Sequence, residues 1–146
     1  MPDADSVLAS ALSGLRPGKG LDLAAGSGRH SLWLLERGWD VTAVDIQTEE
    51  IPGVHCIRAD IEKHEYRIAP GSWDLVVCWL YWQPDLLPEI AGGVRVGGVV
   101  AIAGKTSGRF ATSLEQFREA FSGWKEITSG QNESRAFFIA AKELID

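Results

Sequence analysis

The sequence predicts an α/β fold in which a mostly parallel sheet carries helices on both faces. Three observations point to it. Residues 18–38, GKGLDLAAGSGRHSLWLLERG, read as strand, glycine turn and helix, because an apolar run (Leu21, Leu23, Ala24, Ala25) is broken by Gly26-Ser27-Gly28 and resumes at Leu32, Trp33, Leu34 and Leu35. A second apolar run, residues 39–45, follows at once and ends on an acid, Asp45. Further apolar runs at 54–59, 73–82 and 99–103 recur between turn or helical segments, and two more, 124–128 and 135–141, are joined by the polar turn 129–134.

Each element has its own local reason. Val7, Leu8, Ala11, Leu12 and Leu15 recur at helical spacing behind Asp5-Ser6, which can cap, and Gly14 with Pro17-Gly18 ends that helix. In the second helix, opening near Gly28, unpaired N–H groups face an anionic group, and Gly38 suits a left-handed exit after Arg37. Residues 46–53 (IQTEEIPG) connect two strands in eight residues, where a parallel crossover needs about a dozen, usually with a helix. One face of the sheet there is expected to be thin, or covered by a partner chain. Asp60 can cap a helix over 61–68 or serve a ligand, and both readings stand. The run 73–82 is a strand entering a loop that Gln83-Pro84 stops, followed by a short helix over 85–94. Arg95-Val96-Gly97-Gly98 reads as a turn into the fifth strand and not as a second phosphate loop. Ser113-Leu114-Glu115-Gln116 forms a capping box, and Leu114, Phe117 and Phe121 share one face of the helix that Gly123 ends.

Composition limits the function. At 146 residues the chain fits one domain, residues 1–146, with a real core and no room for a separate substrate domain. The net charge of -6 repels a nucleic-acid backbone, so no nucleic-acid partner is expected. The acidic start and the lack of a long apolar run predict a cytoplasmic protein with no membrane partner. Cys56 and Cys78, both in predicted strands, are expected to be buried reduced thiols. No metal site is expected, since His55 and His64 have no partners at ligand spacing. His30 falls in the first turn after Gly28, near the expected reacting end of a ligand or as an ordinary helix-start residue.

Asp45 lies 23 positions after Asp22, where an acid can accept hydrogen bonds from both ribose hydroxyls of an adenosine cofactor. Dinucleotides and S-adenosylmethionine both fit that much. The frame Gly26-x-Gly28-x-x-Ser31 lacks the third glycine of a dinucleotide site. Asp22, just before the turn, would repel a pyrophosphate and suits a cationic amino group.

Residues 21–31, LDLAAGSGRHS, resemble the first motif of the class I S-adenosylmethionine-dependent methyltransferases, most closely the small tellurite-resistance-type and related small-molecule members, and residues 41–45 resemble the second. The similarity continues through Asp60, residues 73–82 and 95–98, and covers roughly residues 18–142. Ala24 stands where most members have the first glycine. The resemblance implies a Rossmann-like class I methyltransferase fold with a seven-stranded sheet and a C-terminal antiparallel hairpin; the shortened second crossover departs from it. It also implies S-adenosyl-L-methionine as cofactor. Asp22, Ala24 and Gly26 would hold the methionyl end with Arg29 near its carboxylate. Asp45 would hold the ribose, Asp60 and Ile61 the adenine, Cys78 would supply a backbone edge, and Ile46 is implied as a further cofactor-binding residue. The first helix would cover the cofactor or merely pack on the sheet.

The implied reaction is direct in-line methyl transfer to a small-molecule acceptor that is not highly charged. No catalytic acid or base is assigned. There is no Asn/Asp-Pro-Pro-Tyr motif, and no Pro-Cys pair that would make Cys78 a nucleophile. Alternating side chains are expected to send Trp79 and Tyr81 to one face with Trp82 entering the loop, so that the three contribute to the acceptor pocket. The alternatives are a cofactor-binding module without transfer activity that works through a partner, and a nicotinamide dinucleotide-binding domain. A homodimer is expected as the cover of the thin sheet face, against a compact monomer with a tight loop.

Overall fold

The structure, a computed structural model, describes residues 3–143. Seven strands form one sheet in the order β3-β2-β1-β4-β5-β7-β6. The parallel part comprises β1 (Lys19–Leu23), β2 (Asp40–Asp45), β3 (His55–Arg58), β4 (Trp73–Trp79) and β5 (Val94–Lys105). β7 (Arg135–Ala141) runs antiparallel to β5, and β6 (Lys125–Gln131) antiparallel to β7. The order therefore reverses between β1 and β4, whose carboxyl ends meet at the pairs Leu23–Cys78 and Asp22–Val77. That reversal opens the crevice in which open α/β sheets bind ligands.

Side chains alternate across the central strands and build a core on each face. On one, Leu21, Leu23, Val76, Cys78, Val100 and Ile102 pack against α3 (Leu87–Gly93) and α4 (Leu114–Ala120) through Leu87, Ile90 and Phe117. On the other, Val41, Leu75, Val77 and Ala101 pack against α1 (Ser6–Leu12) and α2 (Arg29–Glu36) through Leu8, Leu12 and Leu34. Asp5 caps α1 as expected, its Oδ1 accepting from the N–H of Val7 at 2.9 Å. Ser113 caps α4 by accepting from the N–H of Gln116. The other half of that capping box does not form, because the Gln116 Oε1 accepts from Thr112 Oγ1 instead.

Several expectations need correction. No helix forms over 61–68; residues 61–64 make a turn in which Asp60 Oδ1 accepts from the N–H of Lys63. Gly97 and Gly98 lie inside β5 and not between elements. There the pairing with β4 jumps from Trp73–Val94 to Leu75–Val99, so residues 95–98 bulge opposite Asp74, whose carboxylate pairs with Arg95. β4 ends at Trp79, three residues earlier than the apolar run suggests. Cys56 is only half-buried, because β3 is the edge strand, while Cys78 is buried in the core. The short connection 46–53 contains no helix, as its length predicts. Among the described residues no helix is long and apolar enough to cross a membrane.

Candidate active site

The glycine turn follows β1 directly, and its backbone is left-handed at Ala24 (φ 55°), Gly26 (φ 57°) and Gly28 (φ 85°). Ala24 adopts a conformation that an L side chain takes only at a cost of about 1–2 kcal/mol. The turn is pinned at both ends. The N–H of Ala25 donates to the Val44 carbonyl at 3.1 Å, and that of Gly28 to the Ala25 carbonyl at 2.9 Å. Asp45 at the end of β2 holds it from the side: one carboxylate oxygen accepts from the N–H of Gly26 and the other from that of Gln47, each at 3.0 Å. A Cβ placed on Gly26 would meet nothing within 4 Å, so space lies open over the turn. A Cβ on Gly28 would run into Ile51, the residue by which the shortened crossover reaches the turn.

Beneath the turn, Asp22 is almost wholly buried, and Ser31 Oγ donates to its Oδ2 at 2.6 Å. Burial raises its carboxyl pKa to about 6, the bond from Ser31 opposing. Ser31 is thus more than the residue that spoils a dinucleotide frame. A buried acid on a strand needs a donor, and the first turn of the next helix supplies it. Cys78, across from Leu23, is pushed up to about 12 by burial and then by the charge of Asp22, so its thiol stays protonated. Arg29, on the first turn of α2, donates to the carbonyl of Asp3 at 3.1 Å. His30 is buried, its Nε2 accepting from the N–H of Asp5 at 3.2 Å, and its ring meets Trp79 edge-on at 6.3 Å. Burial, followed by the neighbouring Arg29 charge, lowers its pKa to about 4.

Along the remaining carboxyl ends lie Ile46, exposed, and Ile61, buried, with Asp60 between β3 and its turn. The N–H of Asp60 donates to Glu65 Oε1 at 2.7 Å. Trp79 and Tyr81 do not share a face, contrary to the expected alternation. Leu80 adopts φ 63° and donates its N–H to the Ala103 carbonyl, and this left-handed step turns the chain. Trp79 consequently packs into the α1 and α2 face, whereas Tyr81 and Trp82 pack on the α3 and α4 face. A cleft of about 740 Å³ opens there, past the carboxyl ends of β4 and β5. Tyr81 and Trp82 line it and Trp79 does not. Tyr81 Oη donates to Gln83 Oε1 at 2.5 Å, and Gln83 Nε2 to the Ile61 carbonyl at 3.3 Å, which braces this wall against the turn after β3. Sequence reasoning missed Lys105, Arg109 and Phe110, which also line the cleft. The signal was their position, since their loop also follows the carboxyl end of a parallel strand. Among the described residues no group of three His, Cys, Asp or Glu side chains could hold a metal ion.

A family profile described as tellurite resistance protein TehB matches residues 1–80 of the chain. The malonyl-[acyl-carrier protein] O-methyltransferase of Salmonella typhimurium is 32% identical over 153 aligned positions, which take in 98% of this chain and 57% of that protein. The crystal structure of TehB from Haemophilus influenzae superposes with a TM-score of 0.83 at 19% identity, over 96% of this chain and 63% of the other. The 1,6-didemethyltoxoflavin-N1-methyltransferase of Burkholderia thailandensis, with bound S-adenosylhomocysteine, superposes at 0.68 and 20% identity, over 95% and 76%. The chain spans about three fifths of the length of the first two. It belongs to the tellurite resistance protein TehB family, and its fold is that of the class I S-adenosylmethionine-dependent methyltransferases.

Proposed function

We propose that residues 1–146 act as one domain that binds S-adenosyl-L-methionine and directs its methyl group to a small-molecule acceptor in the cytosol. The observation that carries this reading is the open turn Ala24–Gly28 clamped by Asp45 and standing over Asp22, at the point where the strand order reverses. The residues present fit the cofactor. Space over Gly26 admits a ligand, and each oxygen of the partly exposed Asp45 carboxylate still has a lone pair for a ribose hydroxyl. The buried charge of Asp22 supplies a field that favours a cationic amino group. Ala24 and Gly26 would lie against the methionyl end, with Arg29 toward its carboxylate once it leaves the Asp3 carbonyl. Ile46 would flank the ribose, Asp60 and Ile61 the adenine, and the backbone at Cys78 the strand edge.

When bound, S-adenosylmethionine supplies a methyl group on a sulfonium leaving group. The chain's own work is then position and dryness, and orientation alone can be worth roughly 7–11 kcal/mol of barrier. Tyr81 and Trp82 would wall the acceptor from water, while Trp79 supports them from the other face. Burial first, and then the nearby Cys78 and acidic groups, push the Tyr81 hydroxyl up to about 12. With the Cys78 thiol equally protonated, neither is a base at neutral pH, and the acceptor is expected to bring its own nucleophile. A screen of small acceptors with methyl-labelled cofactor tests this. Transfer to at least one acceptor that Trp82→Ala lowers tenfold or more, at unchanged cofactor affinity, is the expected outcome. Cofactor binding without any transfer would favour a binding module acting through a partner.

A homodimer belongs to the same reading. Cys56 and Ile57 on edge strand β3 are half-buried, which supports a second chain as their cover. Light scattering at micromolar concentration is expected to give twice the 15.9 kDa chain mass, and a monomer mass would end this part of the reading.

A further inference from the structure

From the lining of the cleft beyond β4 and β5 we infer that its acceptor is a flat apolar molecule carrying one oxyacid anion, of carboxylate type, held by Lys105 and Arg109. The inference rests on the methyl-transfer reading for the acceptor's role, but its binding test does not.

The chain segments that line the cleft differ in charge. Glu62, in the turn after β3, and Asp85, after β4, bring acids to its lining, and Asp85 is already engaged by His64 Nε2 at 2.7 Å. Lys105, the last residue of β5, and Arg109, in the loop after it, bring cations to the same lining. Both are exposed, and neither forms an ion pair among the described residues; Arg109 only lies over the Phe110 ring at 5.3 Å. Two unpaired cations lining one cleft, in a chain of net charge -6, form a local seat for an anion. The same lining includes large apolar side chains. Phe110 is 64% exposed and Leu80 40%, and Tyr81 and Trp82 add half-buried rings. Exposed large apolar side chains that gather in one concavity point to a ligand.

The backbone supplies an independent sign. Leu80 is held left-handed at φ 63°, a strained state for a branched side chain with no role in the core, and such strain gathers at ligand sites. The step turns Tyr81 and Trp82 into the cleft. The Tyr81–Gln83–Ile61 hydrogen bonds then fix one wall, so a planar body meets a preformed surface. A small inorganic oxyanion would use the cations and leave this apolar wall unused. A neutral aromatic would do the reverse.

The probes are 6-hydroxy-2-naphthoate, its carboxamide and inorganic phosphate, titrated against the full chain without cofactor by fluorescence and calorimetry at low salt. The naphthoate is expected to bind about 5- to 30-fold tighter than the carboxamide, the range of two partly screened charge contacts. The difference should shrink at 0.5 M salt. Lys105→Met with Arg109→Met should bring the naphthoate to the level of the carboxamide without shifting the melting temperature. Phe110→Ala should weaken both naphthalene probes equally. Equal binding of acid and amide, a preference that survives the double substitution, phosphate binding as tightly as the naphthoate, or no binding of either naphthalene at millimolar concentration would each overturn the inference. S-adenosylmethionine affinity, measured on the same double variant, is expected to be unchanged. Should the cofactor fail to bind even to the unaltered chain, the methyl-transfer reading falls while the anion preference still stands or falls on its own.

Discussion

Asp22→Asn should stabilise the protein at pH 7 and weaken cofactor binding. The carboxyl of Asp22 is fully buried, and its folded pKa of about 6 lies above the ordinary 3.8, burial being the first cause. Holding it ionised at pH 7 therefore costs about 3 kcal/mol, at 1.36 kcal/mol for each unit of the difference. Asparagine keeps an oxygen to accept the Ser31 hydroxyl and removes the charge. A gain of about 1–3 kcal/mol is expected, seen as a melting point higher by about 2–4 °C for each kcal/mol. The same substitution removes the field beneath the turn and should lower affinity for S-adenosylmethionine about tenfold, a modest Coulombic loss.

The pH dependence of this variant is as informative as its melting point. A carboxyl whose pKa is raised on folding contributes stability below its unfolded pKa, and that contribution is lost as pH rises from about 3.8 to about 6. His30 does the opposite. Its folded pKa of about 4 lies below the ordinary 6.5, so the unfolded chain takes up the proton first and stability is lost as pH falls through that window. The two trends oppose each other between pH 4 and 6. Asp22→Asn should therefore expose the His30 trend, a fold that weakens steadily on acidification from pH 6.5 to 4. His30→Gln should expose the Asp22 trend. Chemical denaturation across that range would show both, and a variant whose pH profile parallels the parent chain would refute the assignment of its group.

Asp45→Ala should cost more in binding than any other single change at the site. Two charge-assisted hydrogen bonds to ribose hydroxyls, each worth about 1.5–3 kcal/mol, would be lost, which corresponds to at least about a hundredfold in affinity. The carboxylate also ties down the N–H groups of Gly26 and Gln47, so about 1–2 kcal/mol of stability should go with it. Asp45→Asn separates the two effects. Its amide oxygen can still accept from one N–H, so it should recover part of the stability while binding remains weak. Affinity within threefold of the parent in both variants, with the fold intact by circular dichroism, would remove Asp45 from the cofactor site.

Much of this site was legible before the structure because its signals are local. A glycine turn between an apolar strand and an amphipathic helix can form in few ways, and an acid that ends the next strand lands beside it, as the Gly26–Asp45 hydrogen bond demonstrates. Residues whose conformation is set by distant partners were not legible. Leu80 carries no sequence mark of a left-handed step, yet that step decides that Trp79 and Tyr81 lie on opposite faces. Gly97-Gly98 looks like a turn, since glycines punctuate chains, but pairing with Asp74 more than twenty positions away makes it a bulge inside β5. The edge position of β3, which leaves Cys56 half-exposed, follows from strand order and not from the residues of β3. The cationic wall of the cleft depends on where the loop after β5 folds, and no spacing within Lys105, Arg109 and Phe110 announces it.

The central claim is that this turn seats an adenosyl sulfonium and not a dinucleotide. Isothermal titration of the unaltered chain at pH 8, where Asp22 is ionised, with S-adenosylmethionine, S-adenosylhomocysteine and NAD tests it most directly. The account predicts saturable binding of both S-adenosylmethionine and S-adenosylhomocysteine, and no heat from NAD up to millimolar concentration. Binding of NAD, or silence from both S-adenosyl ligands, would contradict it.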